Sequence, residues 1–307
     1  MFYRAYTHYS KNISAEYIPD DLFHFCCLPA LNIKEFDSGY SDHYFMSQLL
    51  PDELQSKIVF RNIEEVYYDQ NHNVIKLAKK SLDELLDDHE EILLKPSLET
   101  DQNKPIQVFK KVNGKFLNKN NDILNLQYLE EKYHKNYVAE LPISLHSSFL
   151  KFESFGLSAL RFYMYRSPIS EKTDVLGCCL ISGKNGFNEY NLIRDAGVFQ
   201  VNEEGRIKLF AKQENDGRIR KLFRDEDDNR FPKMEDLIEC AKKVAEVNYY
   251  HRVIAIDLTL DEDMQIKLRG IRNHTFEPIA LQFAGKPFFG HYTDEVIDYC
   301  SGWVNQR

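Results

Sequence analysis

The chain has 307 residues, of which 43% are hydrophobic and 28% charged, with a formal net charge of −9. That composition is of the soluble globular kind, and the length allows two or three packed subdomains, since single cores stop growing near about 250 to 300 residues. The acidic balance excludes a nucleic-acid partner, which rewards excess Lys and Arg, and no apolar run nears the ~20 residues that a membrane-spanning helix needs. The N-terminus, MFYRAYTHYSKN, lacks the apolar core of a signal peptide, so the chain reads as cytoplasmic. Its cysteines, at 26, 27, 178, 179, 240 and 300, show no C-x-x-C spacing and read as reduced core residues rather than bridges or a zinc cluster.

Residues 1 to 60 are aromatic-rich and irregular, and "IPDDLFHF" and "LPDELQSKIVF" read as short helices begun after Pro or Asp. "IEEVYYDQNHNVIKL" is a hairpin: a strand holding Val66, Tyr67 and Tyr68, a turn at Asp69 to Asn73, and a second strand from Val74. "AKKSLDELLDDHE" is a helix with Ser81 as its cap and Leu82, Leu85 and Leu86 on its inner face. "EILLKPSLETDQNKPIQVFKK" holds two short strands joined by a polar loop, and "DILNLQYLEEKYHK" a helix leading into "YVAELPISLHSSF". Strand-like runs follow at "LRFYMYRS", "DVLGCCLIS" and "RIKLFAK", then a helix at "KMEDLIECAKKVAEVN". "RVIAIDLTLDEDMQIKLRGIRN" reads as a strand, an acidic turn and a second strand. The order is α+β without regular βαβ alternation.

Three charged residues end apolar runs: Lys95, Glu140 and Asp257. Each has a plain reading as a solvated strand end. Together, a lysine for phosphate, an acid for ribose or amine and a carboxylate for Mg²⁺ suffice for a nucleotide site. Arg161 shares a strand face with Tyr163 and Tyr165, while Leu160, Phe162 and Met164 share the other. It is either a surface arginine lying along tyrosine rings or a cleft residue that grips a carboxylate. Cys178 and Cys179 sit in an apolar strand and read as packing rather than as nucleophiles.

The order of these segments resembles the sugar-transfer-associated ATP-grasp family over about residues 17 to 298. The resemblance is carried by "YIPDDLF", "LPALN", "KIVFRNIEEVYYDQNHNVI", "ILLKPSLE", "YVAELPISLHSSF", "FGLSALRFYMY", "VIAIDLTLDEDMQIKL" and the closing "GKPFFGHYTDEVIDY". It implies an α+β ATP-grasp fold, with an N-terminal helical or irregular region at 1–60, a small subdomain at 61–140 and a large one at 141–307, the latter two enclosing a nucleotide cleft. By the same resemblance Lys95 and Ser97 would contact phosphates, Val138, Glu140, Leu141 and His146 would line the adenine and ribose, and Asp257 would bind Mg²⁺. Arg161 would hold a carboxylate or acyl-phosphate. ATP and Mg²⁺ would be the cofactors and a small molecule or glycan the acceptor. The implied activity is ATP-dependent carboxylate–amine ligation through an acyl-phosphate, in making or decorating a cell-surface polysaccharide.

The sequence also departs from the family. The loop after Lys-Pro-Ser, Glu99 to Pro105, has no glycine to let backbone amides close on phosphates. Gly270 and Arg272 stand where a Glu-x-Asn pair would complete the metal shell. An arginine beside Asp257 replaces a cation's charge without its Lewis acidity. Ile181 stands in for a family arginine, while Asn191 is placed to keep an asparagine's role, and Glu189 or Glu277 would be the replacement carboxylates. These departures open an alternative, a pseudoenzyme that keeps the frame and binds nucleotide or a protein partner.

Overall fold

The computed structural model describes residues 4, 6–8, 12–98, 104–150, 157–183, 196–213, 219–220, 230–274, 276, 278–283 and 285–304. Most of the loop at 99–105, and Glu189, Asn191 and Glu277, lie outside the described residues. The chain divides into two compact units: Ser41–Ser144, and Met1–Tyr40 together with Leu145–Arg307. Each has its own antiparallel sheet, so the fold is mixed α+β. Among the described residues no helix is long and apolar enough to cross a membrane.

The smaller unit is built on β1 (Ile58–Ile63), β2 (Val66–Asp69), β3 (Val74–Ile75), β4 (Glu91–Pro96), β5 (Gln107–Val112), β6 (Lys115–Leu117) and β7 (Tyr137–Glu140). Their order is β3-β2-β1-β7-β4-β5-β6. Side chains alternate across a strand, and Phe60, Ile92, Leu94, Phe109, Tyr137 and Ala139 share one core with Leu82 and Leu86 of the helix Lys79–Leu86 and Leu129 of the helix Leu126–Lys132. Each fully buried aliphatic or aromatic side chain contributes about 1.5 to 3 kcal/mol. The expected hairpin is present: Asp69 accepts from the backbone N–H of Asn71 and Asn73 at 2.8 and 2.9 Å and so fixes the turn between β2 and β3.

Two local expectations change. "LPDELQSKIVF" is helical only over Asp52–Leu54, and from Ile58 it becomes β1. The β-branched Ile58 and Val59 fit a pleated, half-buried surface better than a helix, and β1 fills the slot between β2 and β7. Ser81 lies inside the helix Lys79–Leu86 rather than at its cap.

The larger unit carries β8 (Leu157–Arg166), β9 (Thr173–Gly183), β10 (Ala196–Val201), β11 (Ile207–Gln213), β12 (Ile219–Arg220), β13 (Val253–Leu260) and β14 (Ile266–Arg272), in the order β12-β11-β10-β9-β8-β13-β14. Every residue of β13 is buried, so both faces of the sheet's centre are covered. The helix Met234–Val247, with Leu237, Ala241 and Val244 buried along one stripe, packs against β8, β9 and β13. On the face of Tyr163, Tyr165, Val253 and Ala255 lie Phe23, Cys27, Leu28 and Leu31 from the N-terminal helical stretch, and Val296 and Cys300 from the helix Thr293–Val304. Of the N-terminal region expected at 1–60, the part up to Tyr40 falls in the larger unit, where Ile18, Phe23, Cys27, Leu28 and Leu31 join this core, and the remainder, with the start of β1, belongs to the smaller unit.

Candidate functional site

In the smaller unit four of the expected nucleotide residues gather around β4 and β7. Val138 lies directly across from Lys95, and Glu140 is two residues further along β7, so the three share the sheet face opposite the core. Lys95 Nζ is 2.9 Å from Glu140 Oε1, and their side chains are only 13% and 7% exposed. A pair so dry is held by its own attraction, since either ion alone costs several kcal/mol to bury. An ammonium has three donors, and Glu140 engages one. Ser97 follows just past the strand end, its backbone N–H donating to the Asn136 carbonyl at 3.0 Å and its carbonyl accepting from the backbone N–H of His43 at 2.9 Å.

The other two nucleotide residues lie elsewhere. Leu141 donates its backbone N–H to the Lys57 carbonyl at 2.8 Å and packs against the smaller unit's core. His146 belongs to the larger unit, where its backbone N–H donates to the Leu260 carbonyl at 3.0 Å. The Ser148 N–H and Oγ both lie against His146 Nδ1, at 3.2 and 2.9 Å.

In the larger unit Arg161, Asp257 and Arg272 form one cluster. Asp257 of β13 is directly across from Arg161 of β8 on one side and from Gly270 of β14 on the other. Arg272, two residues beyond Gly270, is its diagonal neighbour on the same face. Arg161 donates from Nε to Asp257 Oδ1 at 2.7 Å and from Nη2 to Oδ2 at 2.8 Å. Arg272 Nε adds a third bond to Oδ2 at 3.3 Å. Burial alone would raise the Asp257 pKa, but the charge and hydrogen bonds of Arg161, then those of Arg272, outweigh it and hold the carboxyl below its ordinary value.

This geometry redefines two expected roles. The Arg161 fork, expected to grip a carboxylate ligand, is closed on Asp257, and the residue is fully buried. Asp257, expected to hold Mg²⁺, has both oxygens occupied by guanidinium N–H groups and two cations as its nearest neighbours. A divalent ion would have to displace one of them, so these residues do not fit a magnesium site. No group of three or more His, Cys, Asp or Glu placed to hold a metal occurs among the described residues. Arg272, with its side chain 18% exposed, is the member of the cluster that still reaches the surface. Cys178 and Cys179 are buried, and burial pushes the Cys179 thiol up to about 12 and that of Cys178 well above its ordinary value, as suits packing residues.

No family model matches the sequence, and no curated protein does. Among solved structures the chain is similar to the ATP-grasp ligase PsnB complexed with a minimal precursor, at 9% identity and a TM-score of 0.44, over 88% of this chain and 64% of that one. It is similar to the N5-carboxyaminoimidazole synthetase from Staphylococcus aureus at 9% identity and a TM-score of 0.40, over 84% of this chain and 51% of that one. A D-alanine–D-alanine ligase from Bacillus anthracis complexed with ATP gives 10% identity and a TM-score of 0.47, over 88% and 69%. All three are weak likenesses, and this chain spans less than two thirds of the length of the first two.

Proposed function

We propose that this chain is an ATP-grasp protein that binds a nucleotide with Lys95 and Glu140 and has given up the Mg²⁺-dependent ligation step. The observation that carries this reading is the closure of Asp257 on Arg161 and Arg272. A guanidinium meets phosphate charge with fixed donors, but it neither polarises an oxygen as a Lewis acid nor bridges two phosphate groups as a metal does. Lys95 supports the nucleotide half of the reading, since a nearly buried ammonium with donors to spare suits phosphate oxygens.

The second reading is turnover: ATP-dependent ligation of a carboxylate to an amine of a small-molecule or glycan acceptor through an acyl-phosphate, in cell-surface polysaccharide synthesis. The partial exposure of Arg272 favours it, because an accessible guanidinium can hold such an intermediate by parallel charge-assisted bonds. Thermal unfolding with ATP separates the two. The expected result is a stabilisation of roughly 2.7 kcal/mol at a hundredfold excess over Kd, the same in EDTA as in Mg²⁺, and largely lost in Lys95→Gln. A steep Mg²⁺ dependence, with ADP release, would establish turnover instead. A midpoint indifferent to millimolar ATP in both conditions would remove the nucleotide.

A further inference from the structure

Arg61, in the middle of β1, is only 3% exposed, and neither its Nε nor its Nη1 has a hydrogen-bond acceptor. Among the described residues no carboxylate forms an ion pair with it. Asp42 is the nearest acidic influence, and one of its oxygens is engaged as the cap of the helix His43–Leu49, accepting from the Phe45 N–H at 2.8 Å. Burial lowers the Arg61 pKa while Tyr44 and Asp42 act to raise it, and an arginine stays protonated throughout. The molecule therefore keeps a desolvated positive charge with two nitrogens, Nε and Nη1, that no hydrogen bond satisfies.

Two features say what would offset it. The guanidinium carbon lies 4.7 Å from the centroid of the Tyr44 ring. The N–H bonds of a guanidinium lie in its plane and match a planar or tetrahedral anion. The register supplies the second feature. Arg61 lies directly across β7 from Val138, and Lys95 lies across from the same Val138 on the other side. Two cations therefore flank one apolar residue on one sheet face, roughly 10 Å apart at two strand spacings. Glu140 pairs with Lys95 at 2.9 Å, whereas Arg61 has no such ion pair.

We propose that Arg61, over the Tyr44 ring, is an oxyanion-binding residue that takes a phosphate or carboxylate group of a ligand lying on the β1–β7–β4 face. The site stands independently of the nucleotide reading, since the anion is recognised by Arg61 whatever it is attached to. Thermal unfolding of the full chain tests it, with sodium phosphate and separately sodium acetate set against sodium chloride at matched ionic strength. In the wild type, phosphate or acetate raises the midpoint above the chloride control. In Arg61→Lys the apparent affinity falls at least tenfold, because the charge remains and the fork is lost. In Arg61→Met the anion-specific shift disappears, while the midpoint in chloride equals or exceeds that of the wild type, because a buried unpaired charge has gone. A stronger response to phosphate assigns a phosphate-bearing ligand, and a stronger response to acetate a carboxylate.

A wild-type midpoint indifferent to both anions, or an undiminished shift in Arg61→Met, overturns the inference. Should Arg61→Met not fold, an undiminished shift in Arg61→Lys overturns it equally. ATP as a further ligand keeps the two proposals apart. A stabilisation by ATP that Lys95→Gln loses, in a wild type whose midpoint ignores both phosphate and acetate, sinks the oxyanion site and leaves nucleotide binding standing. A phosphate shift that depends on Arg61, with no response to ATP, does the reverse.

Discussion

Asp257 shows how one carboxylate's surroundings decide its chemistry. Its bonds to Arg161 and Arg272 make it the anionic centre of a buried cluster, so a substitution there is felt first as stability. Asp257→Asn leaves Arg161 buried without its counter-charge and is expected to cost about 3 to 5 kcal/mol in denaturant unfolding, whereas Arg161→Met with Asp257→Leu should recover most of that loss. The pH dependence follows from the depressed folded-state pKa. A lowered carboxyl pKa gives stability that is present above the unfolded value, about 3.9, and is lost as pH falls through the folded value. Unfolding free energies should thus show the Asp257 contribution constant above roughly pH 5 and eroding only below about pH 4, with the Asp257→Asn variant lacking that acid limb. A loss near neutrality would mean that the pair is not ionised as described.

At the scale of elements, the sequence was legible where one face of a strand or helix differs from the other. The hairpin of β2 and β3, the strand β4 that carries Lys95, the helix Met234–Val247 and the hairpin of β13 and β14 all follow their periodicity or turn residues. The alternation of Arg161, Tyr163 and Tyr165 against Leu160, Phe162 and Met164 was readable too. That both faces are buried was not, because the covering residues Phe23 and Leu28 lie far away in sequence. For the same reason neither sequence reading of Arg161, along tyrosine rings at the surface or gripping a ligand in a cleft, included its bond to Asp257, 96 residues away, which the register of β8 and β13 sets. β1 was misread because Pro51 and Asp52 are a helix start, and only pairing with β2 and β7 turns the following residues extended.

Turns offer an element-scale test. Gly205, between β10 and β11, has φ +83°, and an added Cβ would stand 2.3 Å from the Phe231 carbonyl oxygen. That carbonyl belongs to backbone and cannot swing aside, so Gly205→Ala should destabilise by more than the roughly 1 to 3 kcal/mol of positive-φ strain alone. Gly114 has φ +74° and open space around its missing Cβ, so Gly114→Ala should show the strain without the clash and cost less. Equal losses in denaturant unfolding would contradict the close approach at Gly205.

For the whole molecule, the division into units makes the N-terminal segment structural. Asn32 donates from Nδ2 to the carbonyls of Val253 and Asn273 at 2.8 and 2.7 Å, and its Oδ1 accepts from the N–H groups of Arg252 and Val253 at 3.0 and 3.1 Å. Gln282 clamps Ile18 in the same manner, receiving its N–H and donating to its carbonyl, each at 2.8 Å. Both amides are buried and bonded through nitrogen and oxygen alike, so they fix where the N-terminal stretch lies on the sheet of β8 to β14. Removing residues 1–40 would strip Phe23, Leu28 and Leu31 from Tyr163, Tyr165, Val253 and Ala255 and expose a contiguous apolar face. The smaller unit is one uninterrupted stretch with its own core. The expected outcome is that a fragment of residues 41–144 unfolds in a single cooperative transition, while the chain lacking residues 1–40 aggregates or loses the larger unit's transition. Calorimetry of the three proteins checks this, and a shortened chain that keeps that transition at its full-length midpoint would show that the N-terminal residues do not complete the larger core.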